Sequence, residues 1–319
     1  MIYRNWVILW LCIVGIASHQ PIHAQRGDDQ QFADAYHSAS PSIVAITGEM
    51  LVSDLWQVVG SGSGVIFDTN GHIITTAQTV MGAERLTVNF FDGTQIRATL
   101  IATDGLSNLA LLRVDLPAER LIPAQFGDSR ALIVGQNILA INTPFGEAWT
   151  LTSGIISTPP RYRIQTDMPL IDGGILINMI GEIIGISAPL GEMSINFATP
   201  SLLIQKVTHA LITQGFVDYS YLGVNGSDIT LPFIEQFGLP NTLQGAIILG
   251  VADGAPASRA GILQADIILA IDTIPMRGWD DLNWYLAQHT TPQQTVMMRV
   301  YRGGVYLDIL VLLGSQVTG

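Results

Sequence analysis

The chain has 319 residues, a formal net charge of −12, 48% hydrophobic and only 13% charged side chains, and 32 glycines. That length holds two domains of ordinary size. The acidic balance and the single lysine, Lys206, repel phosphate backbones and set nucleic acid aside as a partner.

Residues 1–24 read as a secretory segment. Arg4 supplies a positive start, Trp6 to Ala17 an apolar core, and Ile22-His23-Ala24 a cleavage site. The core is shorter than the roughly 20 residues of a membrane span. Two readings stay open: a cleaved signal peptide, or an N-terminal anchor attached through residues 6–17. Both put the rest of the chain outside the cytoplasm, in a periplasm, on a cell surface or secreted. Cys12, the only cysteine, lies in this segment, so the body of the protein has no disulfide, thiol catalyst or thiolate ligand. Residues 25–41 form a polar arm with a short helix at Phe32–His37.

From Ser42 onward strands follow one another: Ser42–Ile46, Gly64–Phe67, His72–Thr76, Leu86–Phe90, Gln95–Ala102 and Leu109–Val114. Turn signals such as Asp68-Thr69-Asn70-Gly71 and Asp92-Gly93 separate them. A second set is Asn137–Ile141, Gly154–Thr158, Tyr162–Thr166, Ile175–Asn178, Ile183–Pro189 and Ile195–Thr199. Ser201–Gly215 has helical spacing, with a serine cap and a glycine stop. This pattern predicts a mainly β fold, a double six-stranded β-barrel over 42–215. After a junction at Phe216–Ser220, strands at Tyr221–Val224, Gly245–Val251, Ile267–Ile271, Thr295–Tyr301 and Val305–Leu313 alternate with helices at Ala257–Ala260 and Asp280–His289. They predict a separate α/β module over 217–316.

The stretch Gln165-Thr166-Asp167 … Asp172-Gly173-Gly174 … Gly181-Glu182, with Gly60-Ser61-Gly62-Ser63-Gly64-Val65 and Asn142-Thr143-Pro144-Phe145-Gly146, resembles the trypsin-like serine proteases of the HtrA/Deg family. The resemblance implies a trypsin-like double barrel. It also implies where a catalytic triad would stand. Such a triad needs a serine to attack, a histidine to take its proton and an aspartate to orient the histidine. The family's histidine segment matches Thr75-Thr76-Ala77-Gln78-Thr79-Val80, its aspartate segment matches Asp104 to Ala110 with Asn108 in place of the acid, and its serine falls on Asp172. An amide nitrogen is not a base, and an amide at 108 carries no charge to stabilise an imidazolium. The oxyanion loop is degenerate at Ile171, Gly173 and Gly174, and the loop from Asp167 is shorter than the family's. The remaining histidines and serines offer bland readings: His72 is a turn residue, Ser61 and Ser63 are spacers in a glycine-rich strand, and Ser153 and Ser194 are strand-edge hydroxyls. Neither a His-x-x-x-His pair nor a carboxylate-rich loop is present, so no metal and no cofactor is expected.

Tyr221-Leu222-Gly223-Val224, Gly254-Ala255-Pro256-Ala257 and Asp266-Ile267-Ile268 resemble the PDZ domain that follows HtrA proteases. The resemblance implies that Tyr221, Leu222, Gly223 and Val224 form a nest for a peptide's terminal carboxylate, with the peptide added as a β-strand. The expectation is therefore an exported pseudoprotease, not an enzyme. It would bind protein C-termini or unfolded segments in envelope protein quality control, or act as a regulatory partner. Two alternatives stand beside it: an active serine-type endopeptidase of the family, and a structural subunit of a mixed oligomer. The resemblance also implies a homotrimer, or a mixed oligomer with an active homologue, with Phe32 to Ser42 as the contact.

Overall fold

The computed structural model describes residues 24–146, 148–158, 163–188 and 196–318. The secretory segment expected over residues 1–24 lies, but for its last residue, outside the described residues. The arm is more helical than expected: α1 spans Ala24–Ala39 rather than Phe32–His37. Ala35 and Ala39 are buried, with Phe32 and Tyr36 packed beside them, a stripe at helical spacing that holds the helix on the barrels. At Pro41, which has no N–H to give, the α-helical ladder ends and the chain passes through a 3-10 turn at Ser40–Ser42.

The first barrel contains β1 (Ile43–Val52), β2 (Leu55–Ile66), β3 (His72–Thr76), the single turn α2 (Ala77–Val80), β4 (Arg85–Asn89), β5 (Gln95–Asp104) and β6 (Leu109–Val114). It closes in the order β1-β2-β3-β6-β5-β4. β1 and β2 run well past the expected Ser42–Ile46 and Gly64–Phe67, into a hairpin turned by Ser53 and Asp54, both at positive φ. Leu55 to Val59 are all exposed, so this half of the hairpin shows no in-out alternation to read.

The second set comprises β7 (Asn137–Asn142), β8 (Thr150–Ile155), β9 (Ile164–Gln165), β10 (Ile175–Ile177), β11 (Ile183–Ser187) and β12 (Phe197–Pro200). Its order is β8-β7-β10-β11-β12-β9. An Ile156–Thr166 bridge and a Ser157 N–H to Gln165 O hydrogen bond of 2.8 Å draw the two ends together. β8 sits earlier than the expected Gly154–Thr158, because Thr150 to Ile155 pair with the whole of β7. α3 (Ser201–Gln214) stops at Gly215, φ 79°, as expected. Ser201 is not its cap: Pro200 holds that position and Ser201 Oγ donates to Gly127 O at 2.6 Å.

The C-terminal module contains β13 (Val217–Tyr221), β14 (Val224–Asp228), α4 (Leu231–Phe237), β15 (Ala246–Val251), α5 (Pro256–Ala260), β16 (Ile267–Ile271), β17 (Ile274–Pro275), α6 (Trp279–His289), β18 (Thr295–Arg302), β19 (Val305–Leu312) and β20 (Gly314–Thr318). Its main sheet runs β14-β15-β16-β18-β19. Two expectations change here. Phe216–Ser220 is not a mere junction, because β13 pairs with β20. Tyr221–Val224 is not one strand but the end of β13, a turn at Leu222-Gly223 and the start of β14.

The modules are packed together. Trp284 and Ala287 of α6 share one apolar cluster with Leu203, Val207 and Leu211 of α3. Lys206 Nζ donates to the carbonyls of Ala287 and Thr290, the last of these at 3.1 Å, and so caps the C-terminal end of α6. Asp104, fully buried at the end of β5, accepts from Tyr219 Oη at 2.6 Å and from the hydroxyls of Ser107 and Thr318. Among the described residues no helix is long and apolar enough to cross a membrane.

Candidate functional site: a barrel cleft and a peptide groove

Gln78 and Asn108 line one cavity of about 320 Å³ between the barrels, closed on one side by Trp284 of α6. α2 carries Gln78 into it as an exposed side chain. Thr76 caps α2 by accepting the Thr79 N–H at 3.3 Å. Asn108 has φ 56°, a left-handed conformation that asparagine tolerates better than most residues, and its carbonyl accepts the Ala77 N–H at 2.9 Å. Position 108 thus fixes the start of α2 through its backbone.

Asp172 is turned toward Thr76, whose hydroxyl donates to Oδ2 at 2.9 Å. Its Oδ1 is buried without a partner. Burial raises the carboxyl above the ordinary aspartate range, against the lowering effect of the Thr76 hydroxyl and the Gly173 N–H. The neighbouring loop is bonded within the chain: Gly173 N–H to Ser187 O at 3.0 Å, Gly174 N–H to Ile171 O at 3.1 Å, and Leu170 N–H to Asn196 Oδ1 at 3.1 Å. Ile171 is exposed. Gly174 has no room for a side chain, since a Cβ would sit 2.2 Å from Asn142 Oδ1.

Of the other candidates, His72 pairs with Asp68 at 2.7 Å across its own turn. Ser63 is fully buried, with its Oγ 3.0 Å from Thr143 Oγ1. Ser153 is exposed on β8, and Ser194 lies outside the described residues. Gln78 gives and accepts hydrogen bonds but takes no proton near neutral pH, and burial raises the Asp172 carboxyl above the usual aspartate range.

The second cavity, of about 350 Å³, lies beside the Tyr221–Val224 loop and α6. The Leu222 carbonyl accepts from Ala257 N–H at 3.0 Å and the Gly223 carbonyl from Ala252 N–H at 2.9 Å. A trans peptide sends its N–H and C=O in opposite directions. The N–H groups of Gly223 and Val224 therefore point away from these partners. β14 is the edge strand of its sheet, so a peptide can pair along it. Trp279 lies over Gly226, where a Cβ would be 2.7 Å from its ring, and the backbone N–H of Trp279 donates to Asp228 Oδ1 at 2.7 Å. Gly223 is required by the fold as well as by a ligand, because φ is 79° and a Cβ would meet Ala255 Cβ at 2.2 Å.

Sequence reasoning missed Arg163, Leu106 and Trp284, which line both cavities. Arg163 stacks on Trp284 with its guanidinium carbon 4.6 Å from the ring centroid. The two residues come from different modules, and no local pattern joins them.

Residues 62–186 match the family model described as a trypsin-like peptidase domain, and residues 220–313 match that of a PDZ domain. The chain is 33% identical over 275 residues to a probable periplasmic serine endoprotease, DegP-like, of Hahella chejuensis, covering 81% of this chain and 58% of the relative. It is 30% identical over 277 residues to the periplasmic pH-dependent serine endoprotease DegQ of Escherichia coli, covering 81% of this chain and 60% of that protein. The chain thus spans less than two thirds of the length of these relatives. Among solved structures it is similar to the HtrA-type protease AlgW with decapeptide, with a TM-score of 0.70 and 28% identity over 89% of this chain and 98% of that one. These relatives, named as endoproteases, overturn the expectation that the chain is not an enzyme. That expectation rested on Gln78, Asn108 and Asp172 and on the shortened loop at Ile171, Gly173 and Gly174, whereas the similarity runs through both modules.

Proposed function

We propose that this chain, whose two modules match a trypsin-like peptidase domain and a PDZ domain and are similar to DegP-like and HtrA-type proteases, is an extracytoplasmic serine-type endoprotease of protein quality control whose PDZ groove captures the C-terminal ends of its substrates. The protease half of this reading is supported by the names of the relatives. The capture half rests on one observation: the N–H groups of Gly223 and Val224 are turned out beside a cavity that shares a wall with the barrel cleft. A carboxylate held there would lay the last residues of a chain along β14, next to the barrels. The arm from Phe32 to Ser42 is the proposed trimer contact, and sedimentation of the protein with and without bulky charged substitutions at its exposed His37 and Ser38 tests it.

The chemical step is decided by experiment, since Gln78, Asn108 and Asp172 do not supply the proton relay of a Ser–His–Asp triad. The protein is incubated with casein, with and without peptides that end in a free carboxylate and an apolar residue. A fluorophosphonate probe with mass spectrometry then names the attacking serine. Casein fragments and a single labelled serine are expected. Intact casein under every condition overturns the endoprotease reading. Equal affinity for free-acid and amidated peptides overturns the capture reading.

A further inference from the structure

The groove beside the Tyr221–Val224 loop is not walled by the PDZ module alone. Arg163, just before β9 in the second barrel, reaches the same cavity. Its guanidinium lies between Trp284 at 4.6 Å and Phe197 at 5.7 Å, and its Nε is buried with no hydrogen-bond partner. Burial lowers its pKa, and Asp280, on the same cavity wall, opposes that shift through space. Ser220 lines this cavity too. It is 8% exposed and its Oγ has no partner.

Both residues line one cavity, and buried polar groups without partners are costly, a cost that an occupant accepting from them would relieve. Guanidinium nitrogens only donate, and a serine hydroxyl donates as readily as it accepts. The group that satisfies both is an acceptor, and a carboxylate matches the planar fork of arginine best. The terminal carboxylate of a bound peptide already has donors in the N–H groups of Gly223 and Val224. The carboxylate left for Arg163 is therefore one on a side chain.

We propose that Arg163 and Ser220 form an acid-selecting subsite of the groove, which takes a Glu or Asp side chain close to the C-terminus of the captured peptide. This rests on the capture reading above. It makes the barrel, and not only the PDZ module, a determinant of which C-termini bind. Asp280 faces the same space and repels a second acid, so the subsite accepts one carboxylate and disfavours an acidic run.

The test is calorimetry on the whole protein with short free-acid peptides that share one apolar last residue. Glu, Gln or Lys is placed at the penultimate position, or at the one before it. Glu at one of these positions should bind about tenfold more tightly than Gln, and more tightly still than Lys. Arg163→Met keeps a stem against Trp284 but removes the fork, so the Glu-to-Gln ratio should fall to near one. Arg163→Lys should leave an intermediate ratio, and Ser220→Ala should narrow it less. If Arg163→Met misfolds, the Lys and Ala variants carry the test. Equal binding of the Glu and Gln peptides to the unaltered protein overturns the subsite while leaving the capture reading intact, as does a ratio that none of the three variants changes. Failure of every free-acid peptide to bind overturns both.

Discussion

The barrel cleft and the PDZ groove lie side by side, yet they settle their polar groups in opposite ways. Around the cleft, the N–H groups of Leu170, Gly173 and Gly174 and one oxygen of Asp172 are all bonded within the chain. In the groove, the carbonyls of Leu222 and Gly223 are bonded inward, while the N–H groups of Gly223 and Val224 face out. Donors left open on one side are what the capture proposal rests on, and the cleft offers no such pair among these groups. The residue types along its wall are a weaker guide, since Arg163 and Trp284 border both cavities.

The variant with the largest expected effect separates the two regions outright. Asp266 is fully buried, and Arg302 clasps it with Nε at 2.6 Å and Nη2 at 2.7 Å. Arg302→Ala leaves that carboxylate without its cation and should cost the PDZ module about 3 kcal/mol. Hydrogen exchange followed along the chain should show faster exchange in β15 to β19 and little change in β1 to β12. Equal acceleration everywhere would mean that the modules unfold as one unit. Next comes Gly223→Val, which forces a β-branched residue into φ 79° and against Ala255. It should cost about 2 kcal/mol of stability and more than about tenfold in peptide affinity. Calorimetry that finds the affinity unchanged would remove the carboxylate nest from Gly223.

Tyr219→Phe deletes a donor to the buried Asp104 and should cost about 1–2 kcal/mol. Exchange at β13 and β20 should rise with it, and unchanged protection there would assign the joint to apolar packing alone. A smaller, pH-dependent effect is expected of Asp172→Asn. Burial raises the carboxyl's pKa in the folded protein, so its neutral form is the one the fold favours. That contribution is fully present below the unfolded pKa and is lost as pH rises through the raised value. The Asn variant should therefore melt higher than the parent at pH 7 and close to it at pH 3. A lower midpoint at pH 7 would mean that the ionised Asp172 is the stabilised form. Smallest of all is Gln78→Ala, at an exposed position, which should stay within about 0.5 kcal/mol of the parent. A sharp fall in casein turnover with that stability unchanged would put Gln78 in the chemistry.

What could be read from the sequence follows from how locally each feature is determined. β3, β6 and β16 fall where expected, because each is a short apolar run bounded by turns or polar loops. α4 was not anticipated, although Pro232 near its start and Gly238 at its end, φ 58°, are ordinary helix punctuation. Its half-exposed side chains give no clean apolar stripe. The pairing of β13 with β20 joins segments at opposite ends of the module, which no window of sequence spans. The same holds for the sites. The Tyr221–Val224 loop is legible because one glycine turn contains it. The Thr76–Asp172 contact bridges 96 positions, and the stacking of Arg163 on Trp284 exists only once the two modules have docked.

Lys206 gives this joint an unplanned reporter. It is the only lysine in the chain, and its amine is tucked under the end of α6, bonded to the carbonyls of Ala287 and Thr290. An acylating reagent that modifies free amines therefore meets a single side chain whose accessibility depends on the two modules staying together. The extent of acylation at Lys206, set against that at the α-amino group of the same molecule, reads out how often the PDZ module lifts away from the barrels, with no label introduced and no residue replaced.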